Sequence, residues 1–372
     1  MKILYLSISY VPSRSASSVH AMKMCAALAR AGHSVELVTK FTPSRHEPGV
    51  EDDFAFYGVS DGFKVSKLPR PQYRGGGFVF LQSIRRLLSR RRDLELVYSR
   101  DLLGAWLAAR AGHRVIFEAH GLPTGAMARF ICRRLLARAQ FERIVFISQA
   151  LRDLWQVEGL VAAETPTLIA HDAADPLPAV DPQVPVPRSK LSAGYVGHLY
   201  GGRGVELMVE VARRLPEVEF NLVGGRKREL AQWKDATTPD NVHFHGFVPP
   251  SELPGLYQSF DLLLMPYQRS VAVRSGHSDT ARWMSPMKMF EYLAAGKAIV
   301  SSDLPVLREV LENEVNALLV DPEDTTAWSA AIARLAGDED LRTGLGRRGH
   351  ESFTAHHTWA ARARAVLRGI DG

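Results

Sequence analysis

Ser285-Pro-Met-Lys-Met-Phe-Glu-Tyr-Leu-Ala-Ala-Gly296, followed by Lys-Ala-Ile-Val-Ser-Ser-Asp303, reads as a loop, a helix, a tight stop and a buried strand. Ser285 is a good N-cap, Pro286 suits the first helical position, and Gly296 is a natural residue just past the helix end. Met287, Phe290, Leu293 and Ala294 make an apolar stripe at helical spacing. Lys288 and Glu291 stand against it, one turn apart. Lys288 falls in the first turn, where free backbone N–H groups and the helix dipole favour anions. A cation is misplaced there unless an anion joins it. Such a site can hold a diphosphate between Lys288 and the helix start, with Glu291 accepting from a ribose diol.

Outward from this helix, strand and helix patterns alternate through most of the 372 residues. Buried-type strands are expected at Ile3–Ser9, Val35–Thr39, Phe63–Leu68, Leu94–Ser99, Val115–Ala119, Ile144–Ser148 and Leu168–Ala170, while Pro43 to Asp61 reads as irregular. A Pro-, Ala- and Asp-rich stretch, Ala173 to Lys190, interrupts the series. The alternation then restarts at Ala193–Gly197 and runs to Ala317–Val320, with three helices after Thr325. The pattern predicts two open parallel sheets flanked by helices and joined by a linker. Ligands in such sheets sit outside the carboxyl ends of the strands.

Composition bounds the function. Hydrophobic content of 46% and charged content of 23% are ordinary for a globular protein. Cys25 and Cys132, the only cysteines, form neither a disulfide framework nor a metal site, and fit a reducing compartment. No run reaches transmembrane length, and the short apolar N-terminus reads as a strand rather than a signal peptide. The net charge of +6 is partly local, with Arg85, Arg86 and Arg90–Arg92 in one cluster and Arg129, Arg133, Arg134 and Arg138 in another. Basic stretches suit phosphates, nucleic acid or an anionic membrane surface; the plainer alternative is a solvated helix face.

Several strand ends carry candidate site residues. The loop from Ser9 to His20 is rich in small residues, Ser18 among them, that let a ligand approach backbone N–H groups, and Arg14 there could meet an acidic substrate. It lacks Gly-x-Gly-x-x-Gly, which excludes a nicotinamide or flavin fingerprint. Glu118 and His120 share one strand face; His120 could bond a sugar hydroxyl, carry a proton, or satisfy local backbone groups. In Gly197-His-Leu-Tyr-Gly-Gly-Arg203-Gly204, the glycines allow close approach and Arg203 offers a fork for phosphate oxygens, with His198 the lesser candidate. Gly224 could line a nucleotide, and main-chain groups at Phe247 and Val248 could read a base edge, though Phe247 also suits a core. Asp279 and the backbone at Gly276 could touch sugar hydroxyls. No cluster calls for a metal.

On these residues the chain resembles the family-four retaining glycosyltransferases of the GT-B fold. The carrying segments are Ala31-Gly-His-Ser-Val35, Phe117-Glu-Ala-His-Gly121, Val145-Phe-Ile-Ser148, Gly194-Tyr-Val-Gly197, Val242-His-Phe-His-Gly-Phe-Val248 and the Ser285–Gly296 helix. The resemblance implies an α/β protein of GT-B type, with two Rossmann-like parallel-sheet domains facing across a cleft. Residues 1–175 would form the acceptor domain, 176–190 the linker and 191–356 the donor domain, with a final helix at about 357–370 crossing back. It further implies a UDP- or GDP-linked sugar donor and no separate cofactor. Glu291 would sit on the ribose, Lys288 and Arg203 on the diphosphate, Ser285 at the nucleotide and His120 beside the donor sugar. Relatives carry Glu where this chain has Trp283, so Asp279 or loop backbone would take that part; Ser17-Ser18 replaces a glycine pair.

The expected activity is sugar transfer with retention and without metal, onto a glycan or lipid-linked acceptor. The expected setting is cytoplasmic, peripheral on the inner face of an anionic membrane, with no nucleic-acid partner. Two alternatives stand beside it: a nucleotide-sugar 2-epimerase of the same fold, using Glu118 as an acid–base group, and a degenerate protein that only binds nucleotide-sugar.

Overall fold

The computed structural model of the chain describes residues 1–178, 190–234, 238–271 and 279–370. Most of the linker expected at 176–190, and Gly276, lie outside these residues. The chain divides into two compact units, Met1–Asp172 with Trp359–Gly372, and Ala173–Thr358.

The first unit carries strands β1 (Lys2–Tyr10), β2 (Ser34–Phe41), β3 (Lys64–Pro69), β4 (Leu96–Ser99), β5 (Val115–Ala119), β6 (Phe141–Phe146) and β7 (Thr167–Ile169). They form one parallel sheet in the order β3-β2-β1-β4-β5-β6-β7. Near-continuous burial of Ile3, Leu4, Tyr5 and Leu6 is what a strand covered on both faces requires. Its helices are α1 (Ala16–Arg30), α2 (Asp53–Tyr57), α3 (Gly76–Arg90), α4 (Leu102–Arg110), α5 (Gly125–Leu136) and α6 (Gln149–Val157). Strand order reverses direction after β3. Right-handed crossovers therefore place α1 and α2 on one face and α3, α4 and α5 on the other. Packing of α4 on both α3 and α5 agrees with this.

The second unit repeats the plan with β8 (Leu191–Val196), β9 (Val218–Val223), β10 (Val242–Gly246), β11 (Leu262–Met265), β12 (Ala298–Ser302) and β13 (Leu318–Val320), in the parallel order β10-β9-β8-β11-β12-β13. Its helices are α7 (Val205–Arg214), α8 (Lys227–Lys234), α9 (Leu253–Gln258), α10 (Met287–Ala295), α11 (Thr325–Gly337) and α12 (Glu339–His356). Tyr195, Phe220, Leu264 and Val300 from the sheet pack with Met208 of α7 and Trp328 of α11 in one buried core. The last helix, α13 (Trp359–Leu367), packs on α1 in the first unit.

Two local expectations change. Helix α10 begins at Met287, and its cap is Pro286 rather than Ser285, because the Pro286 carbonyl already accepts from Met289 N at 2.9 Å. Gly296 ends that helix in the left-handed region, as the sequence requires. The stretch Pro43 to Asp61 is not wholly irregular: it holds a 3-10 turn, Pro43–Arg45, and the short helix α2. The Asp52 carboxylate caps α2 by accepting from Phe54 N and Ala55 N. Five residues are too few for periodicity to reveal a helix.

Gly194, in the middle of β8, is required by packing. A Cβ there would lie 2.2 Å from the ring of the fully buried Phe260. Gly194→Ala should cost about 1–3 kcal/mol, the usual range for overpacking. The urea midpoint should fall with an unchanged m-value; a midpoint equal to wild type would contradict this packing.

Candidate active site

In the second unit the strand order reverses between the parallel neighbours β8 and β11, and the loops leaving these two strands carry the strongest candidates. The β8 loop brings Arg203 and the β11 loop leads to α10 and Lys288. Gly197 makes room for the lysine: a Cβ there would stand 2.4 Å from Lys288 Nζ. The ammonium lies 3.9 Å from the centre of the Tyr195 ring and 5.3 Å from that of Tyr267. Arg203 lies 5.1 Å over the opposite partner set, Tyr200 and the same Tyr267, and donates from Nη2 to Tyr200 Oη at 3.3 Å.

Both cations remain short of acceptors. Lys288 Nζ and Arg203 Nε are buried without a hydrogen-bond partner among the described residues. Burial, and next the nearby Arg203 charge, hold the Lys288 pKa well below the ordinary lysine value, while Glu291 opposes the shift. Helix α10 adds its own positive end, with no side-chain cap and no acidic residue in its first turn. Two cations and a helix start in an aromatic-lined pocket favour an anion with several oxygens. One turn along α10, the Glu291 carboxylate is oriented by Tyr257 Oη at 2.7 Å.

The other candidates of this unit have mixed placements. Gly224 closes on the backbone: a Cβ there would meet the Gly197 carbonyl oxygen at 1.9 Å, so it packs two strand ends together. His198 stacks on Tyr200 at 5.0 Å, and its carbonyl accepts from Tyr195 Oη at 2.6 Å. Phe247 and Val248 are half-buried after β10, so Phe247 is not part of the core. Ser285 is buried ahead of α10. Asp279 accepts from Val271 N at 2.8 Å and Ala281 N at 2.9 Å, which makes it a staple of its own loop.

In the first unit the centre is Glu118, fully buried at the end of β5. Its Oε1 lies 2.5 Å from His120 Nε2, 3.0 Å from His20 Nε2 and 3.3 Å from Arg100 Nε. Its Oε2 accepts from Tyr98 Oη and, at 2.9 Å, from Arg362 Nη2 of α13. Burial alone would raise its pKa; Arg362 and then His20 outweigh it and hold the carboxyl well below the usual range. Glu118 is thus a buried anchor and not a substrate contact. With every oxygen engaged, it is also unsuited to the acid–base work of an epimerase.

His120 stands in front of this anchor. Arg100 Nε donates to His120 Nε2 at 2.9 Å, the same ring nitrogen lies 2.5 Å from Glu118 Oε1, and Nδ1 lies 3.2 Å from Arg100 Nη2. Burial, and next Arg100, push the His120 pKa down to about 4, leaving the ring neutral near pH 7. His20 Nδ1 meets Asp172 at 2.9 Å. His20, Glu118 and His120 offer three ligand atoms within 4.8 Å, but Arg100 and Arg362 already supply positive charge to the same carboxylate. Those two guanidinium charges would repel a cation placed there.

Two candidates of the first loop are engaged by the chain's own groups. Ser18 is wholly buried, its hydroxyl 2.8 Å from the Ser13 and Ser15 carbonyl oxygens. Arg14 is paired with Glu47. Sequence reasoning missed Arg100, His20, Asp172 and Arg362. A signal for Arg362 existed: Trp359, Arg362, Ala363, Val366 and Leu367 are all buried at helical spacing, which places an arginine in an apolar stripe.

Comparison with known proteins agrees with this architecture. Residues 15–166 match the family model described as "Glycosyl transferase 4-like domain", and residues 190–338 the one described as "Glycosyl transferases group 1". The D-inositol 3-phosphate glycosyltransferase of Corynebacterium jeikeium (strain K411) is 26% identical over 188 residues, 46% of this chain and 41% of that protein. The chain spans about half the length of the curated relatives of this kind that it matches. Among solved structures, sucrose-phosphate synthase from Thermosynechococcus elongatus superposes with a TM-score of 0.75 at 17% identity, covering 99% of this chain and 98% of that one. Anabaena HepE in complex with UDP superposes with a TM-score of 0.73 at 15% identity over the whole of both chains. Two matched family models, each on its own parallel-sheet unit, place the chain among the group 1 glycosyltransferases of family-four, GT-B type.

Proposed function

We propose that the protein moves a sugar from a nucleotide-diphosphate sugar to an acceptor hydroxyl, with retention of anomeric configuration and without a metal. The observation that carries this reading is the Lys288 ammonium, buried without an acceptor beside Arg203 at the reversal of strand order. An incoming diphosphate would replace the missing partner of both cations. As the bond from the anomeric carbon to the β-phosphate oxygen breaks, the growing negative charge would meet groups already oriented toward it. The acceptor oxygen forms the new bond, and its proton passes to the departing phosphate oxygen on the same face. Glu291, held by Tyr257, would accept from the ribose hydroxyls. His120 would meet the donor sugar as a neutral imidazole held between Glu118 and Arg100.

UDP is the donor base to try first, because HepE, of like fold, holds UDP and UDP-glucose. GDP-linked sugars are the second series. The acceptor is proposed to be a glycan or lipid-linked saccharide of polysaccharide or glycolipid assembly. The setting is proposed to be cytoplasmic, at the inner face of a membrane; among the described residues no helix is long and apolar enough to cross one.

Thermal shift with UDP, GDP and their sugar conjugates tests the donor site. A ligand at about 100 times its Kd stabilises by about 2.7 kcal/mol, so one nucleotide series should raise Tm by several degrees. Lys288→Met and Arg203→Met should each abolish that rise, and each should lower turnover by roughly 10²–10³, the range for loss of one charge-stabilising donor. A full shift in both variants would refute the assignment. Binding with no transfer across a broad acceptor panel would support the non-enzymatic alternative.

The depressed lysine pKa gives a second test. A bound diphosphate favours the charged ammonium, so binding takes up a proton wherever free Lys288 is partly neutral. UDP affinity should therefore weaken as pH rises from neutrality toward 10.5, the ordinary lysine value. In Lys288→Arg, whose charge persists throughout this range, the dependence should flatten; an unchanged pH profile would remove Lys288 from the phosphate contacts.

A further inference from the structure

The loops that leave β2 and β3 enclose a cavity of about 390 Å³, lined chiefly by Phe41, Pro43, Pro69, Arg70, Pro71 and Gln72. That volume suits one small ligand or one ring of a larger one. Its walls are tied together by the chain itself. Arg70 N donates to the Phe41 carbonyl at 2.8 Å, and Thr42 Oγ1 donates to the Arg70 carbonyl at 2.5 Å. Gly76, the first residue of α3, backs the Pro71 wall so closely that a Cβ there would lie 1.8 Å from the Pro71 carbonyl oxygen. The prolines stiffen what these bonds hold. Phe41 is 38% exposed, so its ring and the prolines offer apolar faces to a ligand, with Gln72 and its partner Ser44 as the polar edge.

The charge around this cavity has one sign. Residues 40–46 and 69–74 hold Lys40, Arg45, Arg70 and Arg74 and no carboxylate. Arg70 Nη1 donates to Tyr10 Oη at 3.4 Å, and Lys40 Nζ lies 5.9 Å from the centre of the same Tyr10 ring and 5.6 Å from that of Phe80. Neither Lys40 nor Arg70 is ion-paired among the described residues. Burial, and next the Arg70 charge, lower the Lys40 pKa; Asp101 opposes the shift, but its carboxylate already caps α4 by accepting from Gly104 N at 2.7 Å. Two neighbouring cations, one of them half-buried, lack a countercharge beside a preformed cavity.

We propose that this cavity is a subsite for a negatively charged sugar residue of the acceptor, a uronate or a sugar phosphate, whose ring packs on Phe41 and the prolines while Arg70, backed by Lys40, takes the anion. The cavity stands at the carboxyl edge of the sheet, the edge at which His120 follows β5. Strand order puts β2 three places from β5, about 14 Å at roughly 4.8 Å a step. One sugar ring does not bridge that distance, so the residue held here is a different one from the residue that receives the transferred sugar. The acceptor is therefore an acidic oligosaccharide. Its role as acceptor rests on the sugar-transfer reading above; the binding itself is tested without donor or turnover.

The full chain is titrated calorimetrically with tetrasaccharides of galacturonate and of hyaluronan, with phosphorylated maltotetraose, with neutral maltotetraose and cellotetraose, and with inorganic phosphate. At least one acidic tetrasaccharide should bind roughly tenfold or more tighter than the neutral ones, as a bond to a charged partner supplies, and added salt should weaken it. The uronate and phosphate arms decide which anion the site takes. K40M/R70Q should lose roughly tenfold or more of that affinity. Lys40→Met alone should keep the wild-type Tm or raise it, because it removes a half-buried charge that has no partner. The nucleotide-induced rise in Tm, measured on the same samples, involves neither residue and reads the transferase assignment independently. Acidic and neutral saccharides bound alike, no saccharide bound, or inorganic phosphate bound as tightly as the acidic saccharides would each overturn the proposal. So would an unchanged affinity in K40M/R70Q.

Discussion

A buried ammonium without an anion is the constraint around which the second unit is arranged. Lys288 could not sit where it does if Gly197 had a side chain, and it could not be tolerated there without the ring faces of Tyr195 and Tyr267. Those rings are in turn fixed by the sheet: Tyr195 lies in β8, and Tyr267 follows β11, its strand neighbour. Arg203, which also lies over the Tyr267 ring, adds to the cost of the charge, since like charges in a desolvated place repel strongly. Proteins rarely keep two cations near each other in this state without a use for them. In the reading proposed above, an arriving diphosphate would supply the countercharge that both cations lack.

The first unit uses buried charge in the opposite way. Glu118 is more deeply buried than Lys288, yet both its oxygens are occupied, by Tyr98 and Arg362 on one and by two histidines and Arg100 on the other. Removing one member would leave the rest with a buried charge, which costs several kcal/mol where pairing was complete. This anchor therefore reads as structure that serves orientation. It stands against His120 Nε2, and Arg100 contacts both nitrogens of the ring. Arg362 also donates to the carbonyls of His171 and Ala170, so α13 and the end of β7 are held by the side chain that neutralises Glu118.

How much of this was legible follows from sequence distance. The Lys288–Glu291 pair lies within one helical turn, and its helix carries its own stop signal, so a single stretch sufficed to place both. Arg203 and Gly197 were legible because a glycine-rich turn between strand and helix has few other uses. Two parallel sheets could be read because strands buried on both faces become continuous apolar runs. Glu118 was singled out correctly as special but given the wrong role, because its partners lie 20 residues away at Tyr98 and 244 away at Arg362. Ser18 and Asp279 were misread for a related reason. Short polar side chains in loops bond their own backbone first, and that preference is invisible until the loop has a shape.

The contrast between the units also explains why the surface arginines cannot be dismissed as ordinary solvated charge. Several exposed arginines in this chain come with carboxylates: Arg213 with Glu210, Arg308 with Asp303, Arg334 with Glu314 and Arg347 with Glu351. A solvated helix face needs no particular sign, and pairing across one turn adds a little stability at no loss of solubility. Along helices α3 to α5 the Arg129–Glu158 pair is the one recorded among the described residues, and aromatic side chains there are also left in water. Mutual repulsion and exposed apolar area both count against such a surface in isolation. In the membrane setting proposed above, each would become favourable against an anionic interface, just as the Lys288 pocket would against a diphosphate. In both places the folded chain is least content where a ligand of negative charge would make it most so.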